Sequence, residues 1–300
     1  MDLTFCKSRV SSSAFKEKQE PKTENNKQET INRKQETENR KQKTKLLHQL
    51  KHYIIHSFKS FHLHGIHSPF VFTLEKKCLR DKTVYEQYDA MKRFRESVKN
   101  NHTILHIKDY GAGSKVFKTD ERRVSDILKY NSSDAKSAEM LFQLCSYFNV
   151  KKVLELGTSI GIATHAMSLS GAHITTIEGS PEVQKFAQSQ FEKFNLDKVQ
   201  SVCSKFKEFL THQIGTTYDL IYIDGHHDGM ATIDYFNACL KHSHKDTIFV
   251  LDDIYWSQDM TNAWNQLCQH AKVTASIDLY DVGLLFLRKE QLQERFYIKL

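Results

Sequence analysis

The segment from Val153 to Thr164 constrains the fold of this chain more than any other feature. It opens with the run 153–156 (Val-Leu-Glu-Leu), which is typical of a buried strand with both faces covered. Gly157 follows directly and Gly161 comes four residues later. We therefore expect the strand to turn sharply at a glycine loop and to lead into a closely packed helix, as in the first unit of an α/β protein.

The spacing around this loop separates several classes of ligand site. A second short predicted strand, 174–177 (Ile-Thr-Thr-Ile), ends in Glu178, twenty-one residues after Gly157. An acid at the tip of the second strand is where nucleotide-binding folds hold a pair of ribose hydroxyls. The loop reads G-x-x-x-G, whereas a dinucleotide fingerprint requires G-x-G-x-x-G and a P-loop requires Gly-Lys-Ser/Thr. The alternative is an ordinary βα turn without a cofactor.

Apolar runs and helical patterns alternate through the rest of the chain. Helical patterns fill the gaps between the first six predicted strands, and only a few residues around Asp281 separate the last two, which predicts a hairpin. The predicted fold is α/β: a Rossmann-like, seven-stranded, mostly parallel sheet with an antiparallel C-terminal hairpin and helices on both faces. The predicted strands are 152–156, 173–178, 199–203, 218–224, 247–252, 273–279 and 283–288.

The N-terminal third differs in composition. Residues 1–45 are polar and contain a seven-residue repeat (32–38 and 39–45) without apolar a and d positions, which predicts a disordered basic tail. Residues 46–130 are predicted to be a helical region, and 131–300 the main domain. From residue 46, apolar residues recur at steps of three and four, which predicts an amphipathic helix with this face toward the core. They are Leu46, Leu47, Leu50, Tyr53, Ile54, Phe58 and Phe61.

Charge and composition exclude several classes of protein. The net charge is +7, but residues 1–60 carry 14 Lys/Arg and 7 Asp/Glu, whereas residues 61–300 carry 29 of each. The folded part is therefore neutral, which disfavours a nucleic-acid partner. There is no apolar run of membrane-span length and no secretory signal pattern. The six cysteines are scattered without a C-x-x-C pair, so we expect reduced thiols and a cytoplasmic protein.

Acids follow two further predicted strands. Asp224 ends the fourth strand, and Asp252 and Asp253 end the fifth. Neighbouring parallel strands lie about 4.8 Å apart and bind ligands at their carboxyl ends, so the three carboxylates are expected to converge. They repel one another unless a cation neutralises them, and such oxygen ligands suit Mg²⁺, or alternatively Mn²⁺ or Ca²⁺. The alternative is that these acids cap the helices that follow.

The acid-x-Gly opening at Glu155, the Gly157-x-x-x-Gly161 loop and Thr164 resemble motif I of class I S-adenosylmethionine (SAM)-dependent methyltransferases. The form of the loop resembles the O-methyltransferase branch, of the catechol and caffeoyl-CoA type, whose sheet has the strand pattern described above. Five segments within about 46–300 resemble a group of bacterial SAM methyltransferases typical of Bacteroidetes. They are 64–70, 111–115, 155–161, 224–227 and 252–257.

The resemblance implies methyl transfer from SAM to an oxygen of a small-molecule acceptor, assisted by a divalent metal. By this likeness the metal ligands are Asp224, Asp252 and Asp253, the last standing where the catechol type usually has Asn. His227 takes the place of the basic residue that accepts the substrate proton, and His226 is the other candidate. The implied cofactor-binding set is Glu155, Gly157, Thr158, Ser159, Gly161, Glu178, Gly179, Ser204 and Asp224, with Lys205 beside the adenine edge.

Alternatives stay open at this point. One is a metal-independent N- or O-methyltransferase in which the acids only cap helices. Another is a non-catalytic nucleotide-binding or interaction protein that reaches nucleic acid or a membrane surface through its tail. The loop 109–115 is either a lid closing over an anion or a plain connection. A homodimer is compatible with the sequence, which does not set the oligomeric state.

Overall fold

The structure is a computed structural model of the chain, which divides into two units, Met1–Leu47 and His48–Leu300. Helix α1 covers Lys22–Lys59. The described residues are 22–60, 67–107, 120–130, 132–288 and 293–300.

Residues 22–45 are helical, although the sequence predicts disorder for residues 1–45. The physical reason lies in composition, because Lys, Arg, Gln and Glu favour helix and α1 contains no Gly or Pro. The predicted tail residues 1–21, Phe61 of the predicted amphipathic helix, residues 64–66 of the His64–Phe70 segment, and the predicted loop 109–115 lie outside the described residues.

Short helices and a two-stranded ribbon precede the main sheet in the second unit. Ser68 caps the first of these helices by accepting a hydrogen bond from the backbone of Val71, with Pro69 at the first helical position. The ribbon is antiparallel, and its second strand was not predicted. These elements are α2 (Pro69–Leu74), a π-helical turn (Glu75–Leu79), α3 (Gln87–Lys99), β1 (Ile104–His106), β2 (Glu121–Arg123), α4 (Val124–Tyr130) and α5 (Ala135–Tyr147).

Eight strands form the main sheet in the described part of the chain. They are β3 (Lys152–Leu156), β4 (His173–Glu178), β5 (Val199–Cys203), β6 (Tyr218–Ile223), β7 (Ser243–Asp252), β8 (Ala275–Asp278), β9 (Val282–Phe286) and β10 (Glu294–Tyr297).

The strand order is β10-β8-β9-β7-β6-β3-β4-β5. Strands β3 to β7 pair in parallel, and β9 runs antiparallel to β7 and β8. The predicted Rossmann-like α/β fold and its C-terminal hairpin are therefore confirmed. The predicted count of seven strands was wrong, because β10 adds a parallel edge strand beside β8.

Helices cover both faces of the sheet. Adjacent residues of β3 enter different cores, because side chains along a strand alternate between its faces. Val153 packs in one core with Leu144 of α5, and Leu154 packs in the other with Phe236 and Trp264. The crossover and C-terminal helices are α6 (Ile162–Ser168), α7 (Pro181–Lys193), α8 (Phe206–His212), α9 (Gly229–Cys239) and α10 (Gln258–Cys268).

The part of α1 in the second unit faces its neighbours with histidines. His56 is 2% exposed, and its Nε2 lies 2.9 Å from the carbonyl oxygen of Asp278. One turn earlier, the ring of His52 stacks on Tyr255 at 4.8 Å, and His48 lies 2.9 Å from the Thr261 hydroxyl. The face of α1 that carries the histidines therefore packs against partners on the main sheet, on its loops and on α10.

The opposite face of α1 is apolar and exposed. Leu50, Ile54 and Phe58 are 53%, 46% and 88% exposed. In the first unit, Leu46 and Leu47 are exposed as well. The prediction that this face turns toward the core was wrong for these residues, since a helical period identifies an apolar face but not what covers it.

Candidate active site

The glycine loop after β3 joins the tips of three strands. Gly157 has φ +115°, and a Cβ built on it would lie 1.8 Å from the carbonyl oxygen of Asp224. The amide of Gly157 donates to the carbonyl of Ile177 at 3.0 Å, and the amide of Asp224 donates to the carbonyl of Leu156 at 2.9 Å. Only glycine fits this position, which brings the ends of β3, β4 and β6 together.

Gly161 starts α6 at φ +85°, and a Cβ there would lie 2.5 Å from the Phe191 ring. The sequence predicts that this glycine lets the helix pack closely on the strand, but the close contact at Gly161 is with the side chain of Phe191 on α7.

Glu178 at the tip of β4 is held by backbone donors. Its Oε2 accepts from the amide of Ser159 at 3.0 Å, and its Oε1 accepts from the amide of Ser180 at 2.9 Å. The backbone carbonyl of Glu178 accepts from Ser204 at 3.0 Å, so the predicted cofactor residues of β3, β4 and β5 meet here. Burial raises the pKa of Glu178, and the hydrogen bonds from Ser180, Ser159 and Gly179 act against this rise.

Glu155 lies beneath the loop with no exposed surface. Its Oε2 accepts from the Thr164 hydroxyl at 2.5 Å, while its Oε1 has no hydrogen-bond partner in the described part of the chain. Burial raises the pKa of Glu155 to about 8, against the lowering effect of hydrogen bonds from Thr164 and Thr176. The Thr158 hydroxyl lies 2.5 Å from that of Thr176, which fixes the loop to β4.

The acids at the tips of β6 and β7 converge. Asp224 and Asp252 lie within hydrogen-bonding reach of one another. Burial raises the pKa of Asp224; the nearby imidazole of His227 lowers it, and the charge of Asp253 raises it. Burial raises the pKa of Asp252 well above its ordinary value, and the charges of Asp224 and Asp253 raise it further. The three carboxylates therefore repel one another, and His227 offsets this repulsion only in part, because the pKa values of Asp224 and Asp252 are still raised.

Tyr222 lies beneath these acids, and the sequence patterns did not identify it as part of the site. Its hydroxyl donates to Asp224 Oδ2 at 3.1 Å, and its side chain is 1% exposed. The signal was present in the sequence, since Tyr222 and Asp224 are two residues apart and side chains at that spacing point to the same face of a strand.

None of these acids caps the helix that follows it. Asp228 caps α9 by accepting from the amide of Ala231, and Ser257 caps α10 by accepting from the amide of Met260. The alternative in which the acids at the strand tips serve as helix caps is therefore wrong.

The two candidate bases have different surroundings. His227 lies between two acids, with Nε2 4.0 Å from Asp224 Oδ1 and Nδ1 3.7 Å from Asp253 Oδ2. His226 turns the other way, and its Nδ1 lies 3.0 Å from the Tyr235 hydroxyl. His226, His227 and Asp253 all have positive φ, at 69°, 41° and 54°. Such strained backbone is concentrated at functional sites, and the sequence did not predict it.

The donor set fits a divalent cation by its chemistry but not by its arrangement. Carboxylate oxygens are the ligands that Mg²⁺ prefers, and a cation would relieve the repulsion among Asp224, Asp252 and Asp253. However, within the described residues no group of three or more His, Cys, Asp or Glu side chains is arranged to hold a metal ion.

A parallel sheet with a glycine loop at β3, an acid at the tip of β4 and an antiparallel hairpin at its end defines the class I methyltransferase fold. Residues 154–254 match the family model described as a methyltransferase domain. This chain is a methyltransferase. In the described part of the chain, no helix combines the length and the hydropathy needed to cross a membrane.

Solved structures agree on the fold. The methyltransferase PaMTH1 of Podospora anserina, bound to SAH, superposes with a TM-score of 0.51 at 14% identity, over 75% of this chain and 97% of that chain. The O-methyltransferase TomG of Streptomyces achromogenes, in complex with SAM, superposes with a TM-score of 0.50 at 15% identity, over 73% of this chain and 95% of that chain. Identities this low support the fold alone. No curated protein matches the chain.

Proposed function

We propose that this methyltransferase transfers the methyl group of SAM to an oxygen nucleophile of a small-molecule acceptor, with the help of a divalent cation, preferably Mg²⁺. One observation carries the proposal: a half-buried acid, a glycine loop and an acid–histidine group meet at the adjacent tips of β4, β3 and β6. In open α/β sheets this edge is the ligand-binding edge.

The first part of the site has the features of a nucleoside pocket. Glu178 is held in place by the amides of Ser159 and Ser180, and its remaining lone pairs are oriented for the ribose hydroxyls. Gly157 lets the backbone approach the methionine part of the cofactor without a side chain in between. When bound, SAM supplies a methyl group on a sulfonium, which is already activated for transfer.

The second part has the features of an acceptor site. Asp224, Asp252 and Asp253 would hold the cation, which would lower the pKa of an acceptor hydroxyl. His227 accepts the hydroxyl proton on a ring nitrogen, and the neighbouring carboxylates of Asp224 and Asp253 stabilise the resulting imidazolium. The chain has only to align the oxygen with the methyl group and to exclude water. We assign His226 to packing, because its Nδ1 lies beside the Tyr235 hydroxyl.

A second candidate is methyl transfer to nitrogen or oxygen without a metal. The position of His227 between Asp224 and Asp253 favours it, because the imidazolium formed when the neutral ring accepts the acceptor's proton would be stabilised by both acids without a cation. In this case the acids orient His227 as a base.

Calorimetric titration of the purified full chain with SAM tests the cofactor. We expect micromolar binding that Glu178→Ala abolishes and Glu192→Ala, an exposed control on α7, leaves intact. Absence of binding from a protein shown to be folded would refute the proposed donor.

Titration with Mg²⁺ alone tests the cation. We expect binding that Asp252→Asn weakens and the exposed control Asp234→Asn does not. If Mg²⁺ does not bind with or without SAM, and a chelator leaves turnover unchanged, the metal-independent candidate is correct.

A further inference from the structure

Within the part of the chain that the structure describes, helix α1 presents an exposed apolar face in the second unit. Leu50, Ile54 and Phe58 follow one another at steps of four residues, so they lie along one side of the helix. Between 46% and 88% of each side chain is exposed. The opposite side of the helix is occupied by His52 and His56, which pack on the main sheet and its loops. We call Leu50, Ile54 and Phe58 the outer face of α1.

The outer face of α1 lies in a segment of the sequence whose formally charged side chains are all positive. From residue 39 to residue 74 the sequence contains six Lys/Arg and no Asp/Glu. Lys51 and Lys59 are exposed on the same part of the helix. Lys299 contributes a further cation at the border, with its Nζ 5.5 Å from the centre of the Tyr53 ring.

We propose that the outer face of α1 binds an anionic lipid surface. Exposed leucine, isoleucine and phenylalanine on one side of a helix, bordered by lysines, are the combination with which helices lie in the plane of a membrane interface. The apolar side chains insert at the level of the headgroups, and the lysine ammonium groups reach the lipid phosphates. The helix lies on the membrane and does not cross it, in agreement with the absence of a spanning helix in the described part of the chain.

Charge complementarity favours lipid over a second copy of the chain. In a two-fold pair, the outer face of one copy would meet the same face of the other, as isologous interfaces require. The lysines beside each face would then approach lysines of the partner, and α1 has no acid after Glu38 to compensate. Like charges brought together across an interface oppose association, whereas anionic headgroups neutralise them.

Sedimentation of the full chain with lipid vesicles tests the proposal. We expect binding to phosphatidylcholine vesicles that contain phosphatidylglycerol, little binding to pure phosphatidylcholine, and a loss of binding as salt is raised. Leu50→Gln and Ile54→Gln should each weaken binding roughly tenfold, since each removes one inserting apolar side chain. The control Ile214→Gln changes an 88%-exposed isoleucine outside α1 and should bind as the wild type does.

Two lysine substitutions, one on α1 and one control, test the electrostatic contribution to vesicle binding. Lys51→Gln should weaken binding to anionic vesicles about fivefold, as expected for one lysine at a membrane surface. Lys207→Gln, an exposed lysine on α8, should have no such effect. Circular dichroism confirms that each variant is folded.

Two outcomes would overturn the proposal. One is equal binding, or none, by the wild type and the α1 variants. The other is a wild-type dimer in analytical ultracentrifugation that Leu50→Gln and Ile54→Gln convert to monomer without a change in vesicle binding, which would assign the outer face to a second copy of the chain.

Discussion

Glu155→Gln should change how the stability of this protein depends on pH. The carboxyl group is fully buried, and burial raises its pKa from the ordinary 4.5 to about 8. Glutamine has nearly the same shape, and its amide oxygen can still accept from the Thr164 hydroxyl. The variant therefore removes the titration and preserves the packing.

The direction of the pH effect on stability follows from the difference in proton binding between the folded and unfolded states. Below pH 4.5 the folded and unfolded states both hold the proton, so Glu155 makes no difference. Above that pH the unfolded state releases the proton and the folded state retains it. The free energy of unfolding then falls by about 1.4 kcal/mol per pH unit until the folded pKa is reached. Between pH 5 and pH 8 the wild type should lose about 3.5 kcal/mol that the variant does not lose, because the slope is reduced close to each pKa.

Urea unfolding at several pH values from 5 to 8 measures this difference. The change in pH dependence is the readout, because an amide nitrogen at the unpartnered Oε1 position lowers stability equally at every pH. Glu208→Gln, which removes an exposed carboxylate from α8, is the control and should follow the wild type. If the wild type and Glu155→Gln fall in parallel with pH, Glu155 is not held protonated by burial and the reasoning is wrong.

Three further predictions concern the same edge of the sheet. Gly157→Ala should lower the free energy of unfolding by about 3 kcal/mol or more in urea denaturation, because the new Cβ would overlap the Asp224 backbone. The control is Gly171→Ala, which is also at positive φ but in open space and should lower that free energy by about 1 kcal/mol. Tyr222→Phe removes the hydroxyl that donates to Asp224 and should weaken Mg²⁺ binding at least about tenfold in calorimetry; unchanged affinity contradicts a positioning role. Asp252→Asn should raise the melting temperature at neutral pH, because the wild-type pKa is raised, and the gain should vanish as the pH falls through the ordinary carboxyl range.

The strands that helices cover on both faces of the sheet were predictable from the sequence. Strands β3, β6 and β7 each contain at least four consecutive buried residues, so their positions can be predicted from the sequence without knowledge of their neighbours. Strand β10 was missed because it has four residues, of which only Phe296 is buried. The direction of α1 was misread for a related reason, since its packing depends on polar partners such as Asp278 that come from the far end of the chain.

The convergence of acids at neighbouring strand tips was predictable from the sequence, but the surroundings of the two histidines were not. The topology of a parallel sheet is enough to bring acids at neighbouring strand tips together, as it does for Asp224 and Asp252. Topology does not decide between His226 and His227. That choice depends on left-handed backbone at both residues, which turns the first ring toward Tyr235 and the second toward Asp253.

The acids at the tips of β6 and β7 weaken the fold that contains them. Burial and mutual repulsion raise the pKa values of Asp224 and Asp252, so their ionisation at neutral pH lowers the stability of the folded state. They do not offset this by capping, because Asp228 and Ser257 cap the helices that follow. A purely structural role would be served as well by asparagine, which has the same size and no charge to desolvate. We therefore expect the charge at these positions to serve a positively charged partner, and a bound cation or a protonated His227 would offset the repulsion.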